Sequence, residues 1–258
     1  MADRCYVYAI LPRQTSLPPD LVGLDGDRLA LVPWHDIAAA TSGLAGELRP
    51  TTEHVLRHAE IVEHLRQLGP ALPVRFGTVL ADATAVAQAL ATRYEVLEVD
   101  LLRLGDKVEF GLSVLGEQPA PDQEQDDAPG AAKVAAPAGP GARYMQDRLA
   151  ENQRVTAARE RAKLLAQELD SVLGAHVLER RCTILPTSRL VLRTAYLLEP
   201  TQAPAFSQAF DALRPAYPHL RFLLSGPWPP YTFVTPMGDG KPLATPELLE
   251  LGLRSARQ

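Results

Sequence analysis

The chain has 258 residues, 46% hydrophobic and 22% charged, totals that allow a buried core and exclude wholesale disorder. That length is long for one compact core and predicts two small domains. A formal net charge of −5 supplies no basic field to release counterions from phosphate, which argues against nucleic acid as a partner.

Met1-Ala2-Asp3-Arg4 runs directly into strand-like residues, without the apolar core of a signal peptide. No stretch approaches the ~18 apolar residues needed to cross a bilayer, so a cytoplasmic protein with no membrane partner is expected. Cys5 and Cys182 stand far apart in apolar stretches and form no CxxC pair. They read as free thiols acting as small hydrophobes in a reducing compartment.

Cys5 to Leu11 is a continuous apolar run stopped by Pro12, which predicts a strand buried on both faces. Pro18, Pro19, Gly23, Asp25 and Gly26 mark turns. A short strand over Leu29–Val32 follows, paired with Ile37–Thr41 across Pro33. Thr51 or Thr52 caps a helix with Val55, Ala59, Val62 and Leu65 on one face, ended by Gly69-Pro70. Leu72–Leu80 reads as extended. Asp82 caps a single helix with Val86, Leu90, Tyr94, Leu97, Leu101 and Leu104 on its apolar face, terminated by Gly105.

Lys107–Leu115 alternates, with Val108, Phe110, Leu112 and Val114 on one face, and predicts a half-buried strand. Gly116–Ala142, rich in Pro, Gly, Ala and acidic residues, reads as a flexible insertion that cannot bury enough apolar surface to order itself. Arg143–Leu173 is the longest helical pattern, with Met145, Leu149, Val155, Ala158, Ala162, Leu165, Leu169 and Val172 in one stripe. Strands over Val177–Ile184 and Leu190–Leu198 follow. A helix bearing Phe206, Phe210 and Leu213 comes next, then a strand over Leu220–Ser225. The end of the chain carries a short amphipathic helix with Thr245 as cap and Pro246 in its first turn.

From Lys107 the order β-α-β-β-α-β is that of a ferredoxin-like module, an antiparallel sheet with helices on one face. The expected organisation is α+β throughout. An N-terminal α+β domain covers 1–105 and a ferredoxin-like domain 106–235, with the acidic insertion at 116–142. An extension covers 236–258.

Several segments together resemble the gas vesicle protein L/F family over nearly the whole length. Tyr6-Val7-Tyr8-Ala9-Ile10, Gly23-Leu24-Asp25-Gly26, Arg49-Pro50-Thr51 and His58-Ala59-Glu60-Ile61-Val62-Glu63 match in general terms. Leu72-Pro73-Val74-Arg75-Phe76-Gly77-Thr78-Val79 and Gly226-Pro227-Trp228-Pro229-Pro230-Tyr231-Thr232-Phe233-Val234, in this order and separation, are the specific pieces. Ala59 stands where the family commonly has Glu, and Thr232 where it commonly has Ser. The acidic insertion and the extension after Pro236 follow no family pattern.

The resemblance implies an accessory protein of gas vesicles, the gas-filled, protein-walled buoyancy compartments of prokaryotic cytoplasm. It implies binding of the main shell subunit and other gas vesicle accessory proteins, as an assembly factor or a minor wall component. A small-ligand regulatory module on the ferredoxin-like fold is the alternative.

No nucleophile elbow, phosphate loop or dinucleotide fingerprint is present, so neither catalysis nor a cofactor is expected. His54 and His58 have metal-ligand spacing at i, i+4. Without an HExxH pattern they read as solvated or cap-satisfied histidines, and no metal site is expected. Arg75 in an apolar strand is outward-facing, or paired with a carboxylate across the sheet, or an anchor at a partner or domain interface, with Phe76 beside it. Trp228, Pro229, Pro230, Tyr231 and Phe233 form a rigid aromatic segment that either packs back on the protein or presents a binding surface.

Overall fold

The structure is a computed structural model and describes residues 4–116, 140–184 and 190–235. Most of the expected insertion, and all of the expected extension with its helix at Thr245–Pro246, lie outside the described residues. The chain forms two compact units, one of residues 1–110, 197–203 and 226 onward, the other of 111–196 and 204–225.

The first unit is organised by strand β1 (Arg4–Pro12). Strands β2 (Ala30–Trp34), β3 (Ile37–Leu44), β4 (Leu72–Pro73) and β5 (Val79–Leu80) complete an antiparallel sheet of order β2-β3-β1-β4, with β5 also on β1. β1 is central in the sheet and its apolar run is buried on both faces, since successive residues, which point to opposite faces, are all covered from Tyr6 to Leu11. Pro33 does not separate the second and third strands. It lies within β2 opposite Ala38, and the chain reverses at His35 and Asp36, where His35 has φ 51°. Proline is tolerated there because β2 is the sheet edge and needs no outward donor. The expected extended run over 72–80 is two short strands joined by a turn.

Helix α1 (Thr52–Gln67) is capped by Thr51, whose hydroxyl accepts the His54 N–H. Its buried face is His58, Ile61, Val62 and Leu65. The single helix expected after Asp82 is two, α2 (Ala83–Thr92) and α3 (Tyr94–Leu104). The ladder breaks at Arg93 (φ −126°, ψ 16°), beside Thr92, whose hydroxyl bonds back to the Gln88 carbonyl. The break takes Tyr94 out of the buried stripe, and its hydroxyl donates to Asp36 at 2.7 Å. Gly105 ends α3 with right-handed dihedrals (φ −59°), so conformational freedom is not its reason. A Cβ there would stand 2.8 Å from Pro70 Cβ and 2.6 Å from the Leu101 carbonyl oxygen.

The second sheet, also antiparallel, is built from β6 (Val108–Gly116), β7 (Glu179–Ile184), β8 (Leu190–Leu198) and β9 (Leu220–Trp228), in the order β7-β8-β6-β9. Helix α4 (Pro140–Leu173) links β6 to β7, and α5 (Ala203–Leu213) links β8 to β9. Phe206, Phe210 and Leu213 are buried on α5, at the period read from the sequence. Of the residues read as a flexible insertion, Gly116 ends β6 and 140–142 open α4; the others lie outside the described residues.

The expected apolar stripe of α4 is buried only at its C-terminal half. Ala162 and Leu169, with Leu173, are covered, whereas Met145, Leu149 and Val172 are exposed. A 34-residue helix spans about 50 Å and a nine-residue strand about 30 Å, so the first turns have no sheet beneath them. Cys182 is exposed rather than buried, on β7, whose residues are exposed or half-buried throughout, and Cys5 is half-buried. In β6 the alternation fails on the polar side, where Glu109 and Ser113 are buried as well. Strand β9 does not stop at Ser225 but runs through the cis Gly226–Pro227 bond to Trp228. It too is an edge strand, which accommodates the proline.

Candidate functional site

The two specific sequence segments, 72–79 and 226–234, are both held in the first unit, and both approach one histidine. Tyr6 and Tyr8, two residues apart on β1, point to the same side of the sheet, with ring centroids 4.8 Å apart. The His58 ring from α1 stacks on Tyr8 at 5.7 Å and meets the edge of Phe76 at 5.7 Å.

The segment between β4 and β5 wraps this aromatic group. Val74 N–H donates to the Tyr8 carbonyl at 2.9 Å, and the Val7 N–H donates to the Thr78 carbonyl at 3.0 Å. Inside the turn, Thr78 donates to the Arg75 carbonyl from its hydroxyl at 2.8 Å and from its N–H at 3.2 Å. Gly77 adopts φ 85°, a left-handed conformation that favours glycine.

The proton positions follow from the partners. The Val74 carbonyl can only accept, so His58 Nε2 carries the proton and donates to it at 3.1 Å. His58 Nδ1 then accepts from the Tyr6 hydroxyl at 3.0 Å, and that oxygen accepts from Gly77 N–H at 3.0 Å. Burial pushes the His58 pKa down to about 4, against the opposing hydrogen bond to Val74, so the ring is neutral near pH 7. Burial likewise raises the phenols of Tyr6, Tyr8 and Tyr231. Tyr8 exchanges a hydrogen bond with Ser42 at 2.9 Å and accepts from Leu24 N–H at 2.9 Å. The Tyr231 hydroxyl approaches His58 Nε2 at 3.5 Å.

The second segment is clamped by carboxylates. Glu109 accepts from Thr232 N–H at 2.8 Å and from its hydroxyl at 2.5 Å. Asp100 accepts from Thr235 N–H at 2.7 Å and from Arg103 at 2.9 Å, and Arg103 also donates to the Phe233 carbonyl at 3.1 Å. Gly226 has φ 123° and no room for a Cβ, which would stand 2.7 Å from the Glu109 carbonyl oxygen.

Arg75 sits in the turn rather than in a strand, half-buried, and its guanidinium has no hydrogen-bond partner among the described residues. Phe76, Trp228 and Tyr231 are half-buried; Pro229, Pro230 and Phe233 are buried. The Trp228 indole nitrogen is buried without a hydrogen-bond partner among the described residues. Phe76 and Tyr231 thus meet at His58, while Phe233 is held by the Asp100–Arg103 pair.

His58 is neither solvated nor a cap, contrary to expectation. Its spacing of three, four and seven residues from Ile61, Val62 and Leu65 is the signal that places it on the buried face. Asp100 carries the same signal among Leu97, Leu101 and Leu104. Glu109 carries none, since alternation assigns it outward. His54 bonds the Arg49 carbonyl at 2.8 Å and both His58 nitrogens are engaged, so the pair does not form a ligand set. No group of three or more His, Cys, Asp or Glu side chains among the described residues could hold a metal ion. Among them, no helix is long and apolar enough to cross a membrane.

With His58 and Tyr6 committed to backbone and to each other, the arrangement acts as a clamp that fixes the 74–78 turn. The family profile "Gas vesicle synthesis protein GvpL/GvpF" matches residues 4–235. Gas vesicle protein F of Streptomyces sp. (strain CB03234) is 30% identical over 240 residues, covering 89% of this chain and 98% of the relative. Gas vesicle protein L of the same strain is 28% identical over 255 residues, covering 88% and 91%. The crystal structure of GvpF from Microcystis aeruginosa superposes with a TM-score of 0.70 at 20% identity, over 90% of this chain and 99% of that one. GvpF from Anabaena sp. PCC7120 gives 0.68 at 18%, over 91% and 99%. At those identities the structures speak for the mixed α/β fold with its two sheets. The chain belongs to the GvpL/GvpF family of gas vesicle synthesis proteins.

Proposed function

We propose that this protein acts in gas vesicle assembly by binding the main shell subunit and other accessory proteins, without catalysing a reaction. The observation that carries this reading is a family match running from residue 4 to residue 235, which takes in both specific segments. Gas vesicle association of a cytoplasmic protein goes with it.

The order β6-α4-β7-β8-α5-β9 and the sheet order β7-β8-β6-β9 support a ferredoxin-like second domain, with the acidic insertion between its first strand and first helix. A wall that keeps liquid water out is built from apolar subunits, and before assembly these expose surface that aggregates. The partner-binding residues of this reading are Arg75, Phe76, Trp228 and Tyr231, with Pro229, Pro230 and Phe233 holding their segment in place. The Arg75 guanidinium, without a hydrogen-bond partner among the described residues, supports the choice, since the turn that carries it is pinned by Tyr6 and His58.

Pull-down of the shell subunit tests the reading. Binding is expected, weakened about tenfold by Arg75→Ala, which corresponds to about 1.4 kcal/mol. A folded sample that shows no binding at concentrations of about 100 Kd for comparable transient partners, tens of micromolar, rejects it.

A further inference from the structure

Edge strands leave backbone N–H and C=O groups unpaired, and proteins block them with proline, with charge or by keeping them short. Among the described residues, three of the four sheet edges are blocked in these ways. Strand β2 carries Pro33, β4 and β5 have two residues each, and β7 carries Glu179, Arg180 and Arg181 within six residues. Strand β9 differs. Over Leu220-Arg221-Phe222-Leu223-Leu224-Ser225 it holds one charge and no proline, and its only neighbour among the described strands is β6.

The side chains of this stretch are incompletely covered on both faces. Leu220, Phe222 and Leu224 are half-buried on the face that meets α5, where Phe222 packs edge-on against Phe210 with ring centroids 6.0 Å apart. Leu223, on the other face, is 37% exposed. One strand further in, Leu112 and Val114 of β6 are buried, so the apolar cover stops at β9. Pro227, which has no N–H, bounds the open stretch on its C-terminal side.

These features select the occupant. An unpaired strand edge is met by an extended backbone about 4.8 Å away, whose side chains then lie beside those of the edge on both faces. Six residues span about 20 Å, and a sheet edge about 10 Å thick offers ~200 Å², a quarter of the ~800 Å² per partner found between folded proteins in stable complexes. That area is too small to join two folded copies of this chain edge to edge. It suits a short extended segment of another polypeptide.

We propose, resting on the reading that this protein binds the shell subunit, that an extended apolar segment of that subunit adds to the second sheet as a strand on β9 over Leu220–Ser225. The segment carries apolar side chains on both faces, and a carboxylate beside Arg221 matches the one charge of the edge. The pairing occupies the backbone groups through which unassembled apolar segments would otherwise aggregate.

Amide hydrogen exchange of the full chain, with and without saturating purified shell subunit, reads the pairing at the backbone. The amides of 221–225 that β6 leaves unbonded are expected to slow about tenfold or more on binding, with those of β7 unchanged. Leu223→Lys, which places a charge on the open edge, is expected to weaken pull-down of the subunit about tenfold, whereas Leu164→Lys on exposed α4 leaves it unchanged. Binding without protection at 221–225 overturns this proposal and leaves the assembly reading standing, whereas absence of binding overturns both. Protection that appears when the concentration of this protein alone is raised identifies a second copy as the occupant and overturns the proposal as well.

Discussion

The clamp of the first unit and the long helix of the second show opposite uses of apolar and polar residues. Around His58, polar atoms are buried and each finds a partner: the imidazole, the Tyr6 phenol, Gly77 N–H and the Val74 carbonyl form one connected chain. Along the first turns of α4 the reverse holds, since Tyr144, Met145 and Leu149 stand in solvent. A buried polar group is stable only when bonded, so the clamp specifies one arrangement of the 74–78 turn. The exposed helix surface specifies nothing by itself. Sequence segments that read as binding surface are thus partly framework, and segments that read as core are partly surface.

Substitutions break or sharpen this contrast in a graded way. Phe233→Ala removes a fully buried ring and is expected to cost about 3–5 kcal/mol in urea unfolding, the largest effect. A loss under 1 kcal/mol would mean that the 226–235 segment is not seated on the first unit.

Acid comes next. The folded pKa of His58, about 4, lies below its unfolded value of 6.5, so the unfolded chain binds a proton first. The His58 contribution is full above pH 6.5 and is lost as pH falls toward 4. At ~1.4 kcal/mol per pKa unit it amounts to about 3 kcal/mol. Denaturant midpoints measured from pH 7.5 to 4.5 should fall, and the slope should flatten in His58→Gln.

Glu109→Ala leaves the Thr232 N–H and hydroxyl without their acceptor and is expected to cost about 2 kcal/mol. Gly77→Ala, at φ 85°, should cost about 1 kcal/mol through backbone strain alone. Met145→Ser on exposed α4 should stay within about 0.5 kcal/mol, a near-zero result that marks the other end of the comparison.

Legibility followed the same division. Local signals were strong wherever an element satisfied itself: the caps at Thr51 and Asp82, the buried run of β1, and the phenylalanines of α5 all stand as their residues imply. The break at Arg93 escaped periodicity, because the leucine stripe continues across it at the same spacing. Gly105 looked like a left-handed cap and is instead a point of close approach to Pro70, a residue far away in the chain. The aromatic segment 226–234 was legible as special and Asp100 as a buried position, while the bonds from Asp100, Arg103 and Glu109 that hold the segment were not, since each spans more than a hundred residues.

By itself the sequence determined family, element types and most caps, because these depend on neighbours within one or two turns of chain. The tertiary structure alone decided that His58 is a neutral clamp, that Glu109 faces inward, and that half of α4 lies bare. Periodicity places His58 on the buried face of α1, but its bonds to Tyr6 and Val74, the inward turn of Glu109 and the bare half of α4 depend on what surface stands opposite each residue.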